Sequence, residues 1–227
     1  MRKIFITISA CVIIYGCSVN SLFYHPNHIL YQIPIYPYED ITFFSKDGTE
    51  LNGWFIPSEG TPRGTVIFFH GNAGNISAHY TFVRWLTEKR FNLFLFDYRG
   101  YGKSKGCPDR RGIYEDSVSA IEYVQSRKDV DPNKLLILGQ SLGGANAISA
   151  VGNNHFKGIR SVVIEASFFS YTSIAKDRLR HGSCLLPGIS ADILLNDDFS
   201  PGMVVDEISP IPILFIHGTA DDVVPFP

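Results

Sequence analysis

Residues 135–144, Leu-Leu-Ile-Leu-Gly-Gln-Ser-Leu-Gly-Gly, place four consecutive apolar positions before a turn of small residues with a serine at its apex. An unbroken aliphatic run suits a strand covered on both faces of a parallel sheet, and the glycines at 139, 143 and 144 permit a sharp, crowded reversal. The pattern predicts Ser141 on a strand-to-helix bend, its hydroxyl exposed above the sheet where a nucleophile is needed. A second match to Gly-x-Ser-x-Gly, Gly102-Lys103-Ser104-Lys105-Gly106, follows the polar turn Asp97-Tyr98-Arg99-Gly100-Tyr101 and has no apolar strand before it. Only Ser141 has a strand in front and a small-residue helix, Leu142 to Val151, behind, so Ser104 is read as a turn residue.

The same alternation runs through the chain. Asp47-Gly48 between Ile41–Phe44 and Glu50–Ile56 is a hairpin signal. Strands are then expected at Val66–Phe69, Asn92–Phe96, Leu135–Leu138, Ser161–Ile164 and Ile211–Ile216, with helices at His79–Lys89 and Gly112–Arg127 and after Ser141. Apolar strands alternating with helices indicate an α/β fold: a mostly parallel sheet with right-handed crossovers, helices on both faces and an antiparallel hairpin at its start. Such sheets bind ligands beyond the carboxyl ends of their strands. The turn His70-Gly71-Asn72-Ala73-Gly74-Asn75, Asp97, Ser141 and Asp221 all follow expected strands, so all should share that edge. The rhythm breaks over residues 168–209. A small cap is expected there, because Leu179, Leu185, Leu186, Ile193, Leu194 and Leu195 need burial.

With 227 residues, 45% of them hydrophobic, the chain can bury one sizeable core. Its net charge of −2 supplies no basic surface for nucleic acid, which is excluded as a partner. No cysteine has neighbours at metal-ligand spacing, so neither a metal nor a cofactor is expected. The start is a separate object: Arg2-Lys3, an apolar stretch from Ile4 to Tyr15, then Gly16-Cys17-Ser18. Charged start, short apolar run and small-residue end read as an export signal. Its Ile14-Tyr15-Gly16-Cys17 end resembles a bacterial lipobox, with Cys17 as the lipid acceptor; an ordinary cleaved signal and an uncleaved anchor are the rival readings. The expected division is a signal segment over 1–17, a Pro-rich extended tether over 18–38 and one domain over 39–227. Export would leave Cys107 and Cys184 free to pair.

Four motifs in order, His70–Asn75, Asp97-Tyr98-Arg99-Gly100-Tyr101-Gly102, Gly139–Gly144 and His217-Gly218-Thr219-Ala220-Asp221-Asp222-Val223-Val224-Pro225, resemble the alpha/beta-hydrolase superfamily. The resemblance is to its bacterial exported branch of esterases and serine peptidase-like enzymes carrying a lipobox. It implies hydrolysis of a small-molecule ester, thioester or peptide by an acyl-serine at Ser141. It further implies an oxyanion hole from the backbone N–H groups of Asn72 and Leu142, and Asp221 as the acid, with Asp222 its adjacent competitor. His70 and Asp97 are read as structural, Asp97 bonding nearby backbone or Arg99. In the family a histidine follows the acid, and none follows Asp221 here; of the seven upstream, only His181 in the cap has a route to Ser141. The chain therefore reads as a shortened hydrolase lacking the last strand and helix, either a fragment of an active enzyme or an inactive, lipid-anchored binding protein.

Overall fold

The computed structural model describes Asn20, residues 23–181 and residues 196–226. The signal segment, Cys17, Cys184 and the middle of the expected cap lie outside the described residues.

One seven-stranded sheet dominates, built from β2 (Glu39–Phe44), β3 (Glu50–Ile56), β4 (Gly64–Phe69), β6 (Phe91–Asp97), β7 (Leu135–Gln140), β8 (Ile159–Glu165) and β9 (Ile213–Ile216) in the order β2-β3-β6-β4-β7-β8-β9. The hairpin β2–β3 is antiparallel and β3 joins β6 antiparallel; every other pairing is parallel. Parallel neighbours need crossovers, which α1 (Ile76–Val83), α2 (Trp85–Glu88), α3 (Arg110–Ser126) and α4 (Leu142–Asn154) supply.

Strand periodicity divides the core between the two faces. In β4, Ile67 and Phe69 join the larger cluster with Phe94, Phe96, Ile113 and Val151, while Val66 and Phe68 join a second with Leu93, Leu95, Tyr80 and Val83. Burial on both faces accounts for the continuous apolar composition of β4, β6 and β7. β9 is shorter than the expected Ile211–Ile216. Pro212 has no N–H to give a ladder, and its carbonyl instead accepts the Val162 N–H at 3.0 Å.

Residues 23–38, expected as a tether, are extended but packed. Phe23 and Tyr24 are buried in the larger cluster. β1 (His25–Pro26) pairs in parallel with β5 (Ala73–Gly74), the two residues that follow Asn72. The Asn75 amide donates to the carbonyls of Asn27 and Ile29 at 2.8 and 2.9 Å, so this strap is tied to the loop after β4. In the described part of the cap, α5 (Tyr171–His181) contributes Tyr171, Ile174 and Ala175 to the main core. Among the described residues no helix is long and apolar enough to cross a membrane.

Candidate active site

The elbow begins where β7 ends. Ser141 adopts φ +53° and ψ −121°, outside the regions an L residue favours, and is the residue before the first turn of α4. Strain of this kind costs on the order of 1–3 kcal/mol and persists only where the surroundings enforce it. Here they do. The Ser141 N–H donates to the Glu165 carbonyl at 2.8 Å, and the Ser141 carbonyl accepts the Ser167 hydroxyl at 2.8 Å and the Gly144 N–H at 2.9 Å. The turn needs its glycines: a Cβ at Gly143 would lie 2.0 Å from the Phe69 carbonyl oxygen, and one at Gly139 would lie 2.6 Å from Gly144 Cα.

The loop after β4 comes alongside this elbow. A Cβ at Gly71 would stand 3.8 Å from Ser141 Cβ, so Gly71, the residue before Asn72, borders the nucleophile. The Asn72 carbonyl is held from below, accepting the Tyr101 hydroxyl at 2.8 Å and the His25 N–H at 2.9 Å. Among the described residues neither the Asn72 N–H nor the Leu142 N–H has a protein acceptor. Both belong to segments adjoining Ser141, and the Leu142 N–H lies at the positive end of a 13-residue helix. Two such donors suit a developing oxyanion.

Asp221 lies in the turn after β9. Its Oδ1 accepts the N–H groups of Val223 and Val224 at 2.8 and 2.9 Å, bonds that hold its carboxyl below the usual carboxylate range. Its Oδ2 is 3.7 Å from His217 Nε2, which itself contacts the Val224 carbonyl at 2.7 Å. The structure thus gathers Ser141, Leu142 and Asn72, while the described partners of Asp221 all lie in its own turn. Asp222 is exposed.

The Ser141 hydroxyl has no hydrogen-bond partner among the described residues. His70 is fully buried with Nδ1 2.7 Å from the Gly71 carbonyl, and His79 has both ring nitrogens engaged. His181 closes α5, with its side chain outside the described residues.

Of the two partners expected for Asp97, backbone and Arg99, the structure shows backbone: its Oδ1 accepts the Ile76 N–H at the start of α1, at 2.8 Å, and lies 3.5 Å from His70 Nε2. Arg99 turns the other way, donating to Asp116 at 2.8 Å and Asp47 at 2.9 Å, and so braces the turn that carries Tyr98 and Tyr101. His70 is structural but not fully satisfied, since its Nε2 has no hydrogen-bond partner. Ser104 is a buried joint, donating to the Asp97 carbonyl at 2.7 Å and accepting the Asn52 N–H at 2.9 Å, as its turn context required.

Reading the sequence alone missed Ser167, which no motif marks. It also missed the strap, whose Pro-rich composition resembles a linker. Beside Ser167 opens a cleft of 680 Å³ lined by Phe168, Phe169, Ile148, Ile174, Val205 and Phe215 among others. Tyr171, three residues after Phe168, is buried, its hydroxyl donating to Asn146 Oδ1 at 3.0 Å.

A mostly parallel sheet with a strained serine at its carboxyl edge, and two amides there without acceptors among the described residues, defines a hydrolase scaffold, and comparison with known proteins agrees. The chain belongs to the alpha/beta-hydrolase family, matching the model described as Serine aminopeptidase, S33 over residues 60–183. It is 42% identical over 227 residues to the protein YfhR of Escherichia coli K12, an alignment covering 98% of this chain and 77% of YfhR. The alpha/beta hydrolase domain-containing protein WAV2 of Arabidopsis thaliana is 36% identical over 195 residues, covering 83% of this chain and 63% of WAV2. Among solved structures, an alpha-beta hydrolase of Vibrio vulnificus superposes with TM-score 0.68 at 21% identity, over 82% of this chain and 65% of that one. An esterase of Pyrococcus furiosus does so with TM-score 0.67 at 20% identity, over 89% and 79%. These two likenesses establish the fold.

Proposed function

We propose that the chain is a serine hydrolase cleaving ester or amide bonds through an acyl-Ser141 intermediate. The observation carrying this reading is Ser141 at φ +53°, flanked by two segments whose Asn72 and Leu142 N–H groups have no protein acceptor among the described residues. In the proposed step Ser141 Oγ attacks the substrate carbonyl carbon and gives its proton to a base. The carbonyl oxygen becomes an oxyanion between the Asn72 and Leu142 amides, and the alcohol or amine leaves with a proton. Water then hydrolyses the acyl-serine. Asp221 is assigned the role of orienting that base. The apolar cleft beside Ser167 suits the acyl part of a small-molecule ester or thioester; a peptide is the other substrate class the machinery serves.

One observation favours a second reading, a hydrolase-fold protein without catalysis: among the described residues no imidazole is bonded to the Ser141 hydroxyl. A fluorophosphonate probe separates the two. Labelling of the purified 227-residue chain that disappears in Ser141→Ala supports the acyl-serine reading; no Ser141-dependent labelling overturns it in favour of the second.

Cys17 is proposed as a lipid acceptor at the end of the export signal. Expression with labelled palmitate in a bacterial host should mark the wild-type chain and its membrane fraction. The same label persisting in Cys17→Ser would refute the assignment.

A further inference from the structure

We infer that His79 is a positioning residue that sets the width of the oxyanion hole by bridging its two halves, an inference that rests on the acyl-Ser141 reading above. The two proposed donors belong to separate segments: Leu142 to the elbow after β7, Asn72 to the loop after β4. The strands they leave, β4 and β7, are paired in parallel up to Phe69 and Gly139, so the ladder fixes the two segments at their roots and the spacing beyond it depends on side-chain ties. His79, on α1, makes such a tie. Its Nε2 is 2.9 Å from the carbonyl oxygen of Ala73, the residue after Asn72, and its Nδ1 is 3.0 Å from the side-chain Oε1 of Gln140, the residue before Ser141.

The ring is itself restrained. It stacks on His70 at 5.3 Å between centroids and 29° between planes, and Phe68 lies 6.3 Å away. A Cβ at Gly71 would lie 3.5 Å from His79 Cε1 and 3.8 Å from Ser141 Cβ, so imidazole, loop and nucleophile are in one packed contact. Because the Ala73 carbonyl can only accept, Nε2 carries a proton. The Gln140 side chain then meets Nδ1 by accepting from an imidazolium N–H or, with its amide rotated, by donating to the neutral ring. In both states the rigid ring spans the same two segments, and neither nitrogen is left to serve as a base for Ser141.

Removing the bridge should act on the transition state more than on substrate binding, because the oxyanion exists only there. With p-nitrophenyl ester as probe and the full chain, His79→Ala should lower kcat by about 10- to 100-fold with KM within about twofold. His79→Gln, which keeps a donor directed at Ala73, should restore most of kcat. His79→Ala/Gln140→Ala should be no slower than His79→Ala, since either change cuts the same link. An unchanged kcat in His79→Ala overturns the inference, as does an equal loss in His79→Gln accompanied by a lowered melting temperature.

If Ser141→Ala leaves ester hydrolysis intact, the acyl-serine reading fails, and amide hydrogen exchange then tests the bridge by itself. His79→Ala should speed exchange at Gly71, Asn72 and Ala73 by about tenfold or more if the tie holds this loop against local opening. Unchanged exchange at all three overturns it.

Discussion

The buried pair His70 and Asp97 shows how much of the site's rigidity is built from neutral groups. Burial pushes the Asp97 carboxyl up to about 7, against the opposing Ile76 N–H bond, and burial with the nearby His79 pushes His70 down to about 3. Below about pH 6.5 these directions make the two, 3.5 Å apart, a neutral carboxyl facing a neutral imidazole. The raised Asp97 contributes stability that is present below its ordinary value of 3.8 and lost as pH rises through 7. The lowered His70 contributes stability that is present above its ordinary 6.5 and lost as pH falls toward 3. Between about pH 4 and 6.5 the folded pair and the unfolded pair each hold one proton, so their joint effect on stability is flat. Asp97→Asn keeps an acceptor for Ile76 but leaves only His70 to titrate. Its unfolding free energy in urea, measured relative to wild type, should then rise from pH 4.5 to 6.5, with a limiting slope of about 1.4 kcal/mol per pH unit. Parallel wild-type and variant curves would show that burial does not hold His70 neutral in the folded variant. Gly143 makes a second test at this scale. A Cβ there would strike the backbone oxygens of Phe69 at 2.0 Å and His70 at 2.5 Å, atoms that cannot swing aside. Gly143→Ala should cost about 3 kcal/mol or more in urea unfolding. Gly218→Ala, whose new Cβ would meet only Asp221 Cβ at 4.0 Å, should stay within about 0.5 kcal/mol.

Among the elements, the strap is where chain and structure differ most. Residues 23–38 carry no helical or strand periodicity, and their hydrogen bonds are made to residues such as Asn72, Asn75 and Ser77, far off in the chain. Nothing local announces such partners. Phe23 is nonetheless 3% exposed and packs edge-on against Tyr171 at 5.2 Å. Phe23→Ala should therefore destabilise the chain by about 3–5 kcal/mol. Ile35→Ala, at a 67% exposed position of the same segment, should change stability by less than about 0.5 kcal/mol. Equal effects in thermal melts would mean the strap is not part of the core. The central strands were legible because burial on both faces leaves an uninterrupted apolar record, and the hairpin because Asp47-Gly48 marks its turn; β3 has the expected bounds, Glu50–Ile56. The start of α1 lies three residues before the expected His79, at Ile76, because Asn75 caps it by accepting the Ser77 N–H at 2.9 Å. That signal, an asparagine before Ile-Ser, was present in the sequence but weaker than the apolar spacing downstream. At the site, Ser141 and its glycines were readable from their crowding. Ser167 and the His79 bridge were not, because they depend on which strands become neighbours.

At the scale of the whole molecule, the site lies along the carboxyl edge of a sheet whose interior strands are covered on both faces, and the sheet's last strand is the exception. β9 pairs with β8 on one side only among the described residues. Leu214, Phe215 and Ile216 are 56%, 58% and 50% exposed, and Val223 and Phe226 beyond them are also exposed. An unpaired apolar strand offers both backbone hydrogen bonds and hydrophobic area to another chain, a combination that folded proteins usually cover or interrupt with charge. No Lys, Arg, Asp or Glu interrupts β9. The 227-residue chain should therefore associate as its concentration rises, through this edge in preference to β2, which opens with Glu39 and Asp40. Sedimentation velocity over a concentration series reads this directly. Leu214→Lys should shift the distribution toward monomer, since a lysine on an edge strand opposes pairing with another chain. Because Leu214 is more than half exposed, the same substitution should leave the urea midpoint nearly unchanged. A wild-type chain that remains monomeric across the series, or association that Leu214→Lys leaves untouched, would rule out β9 as the associating edge.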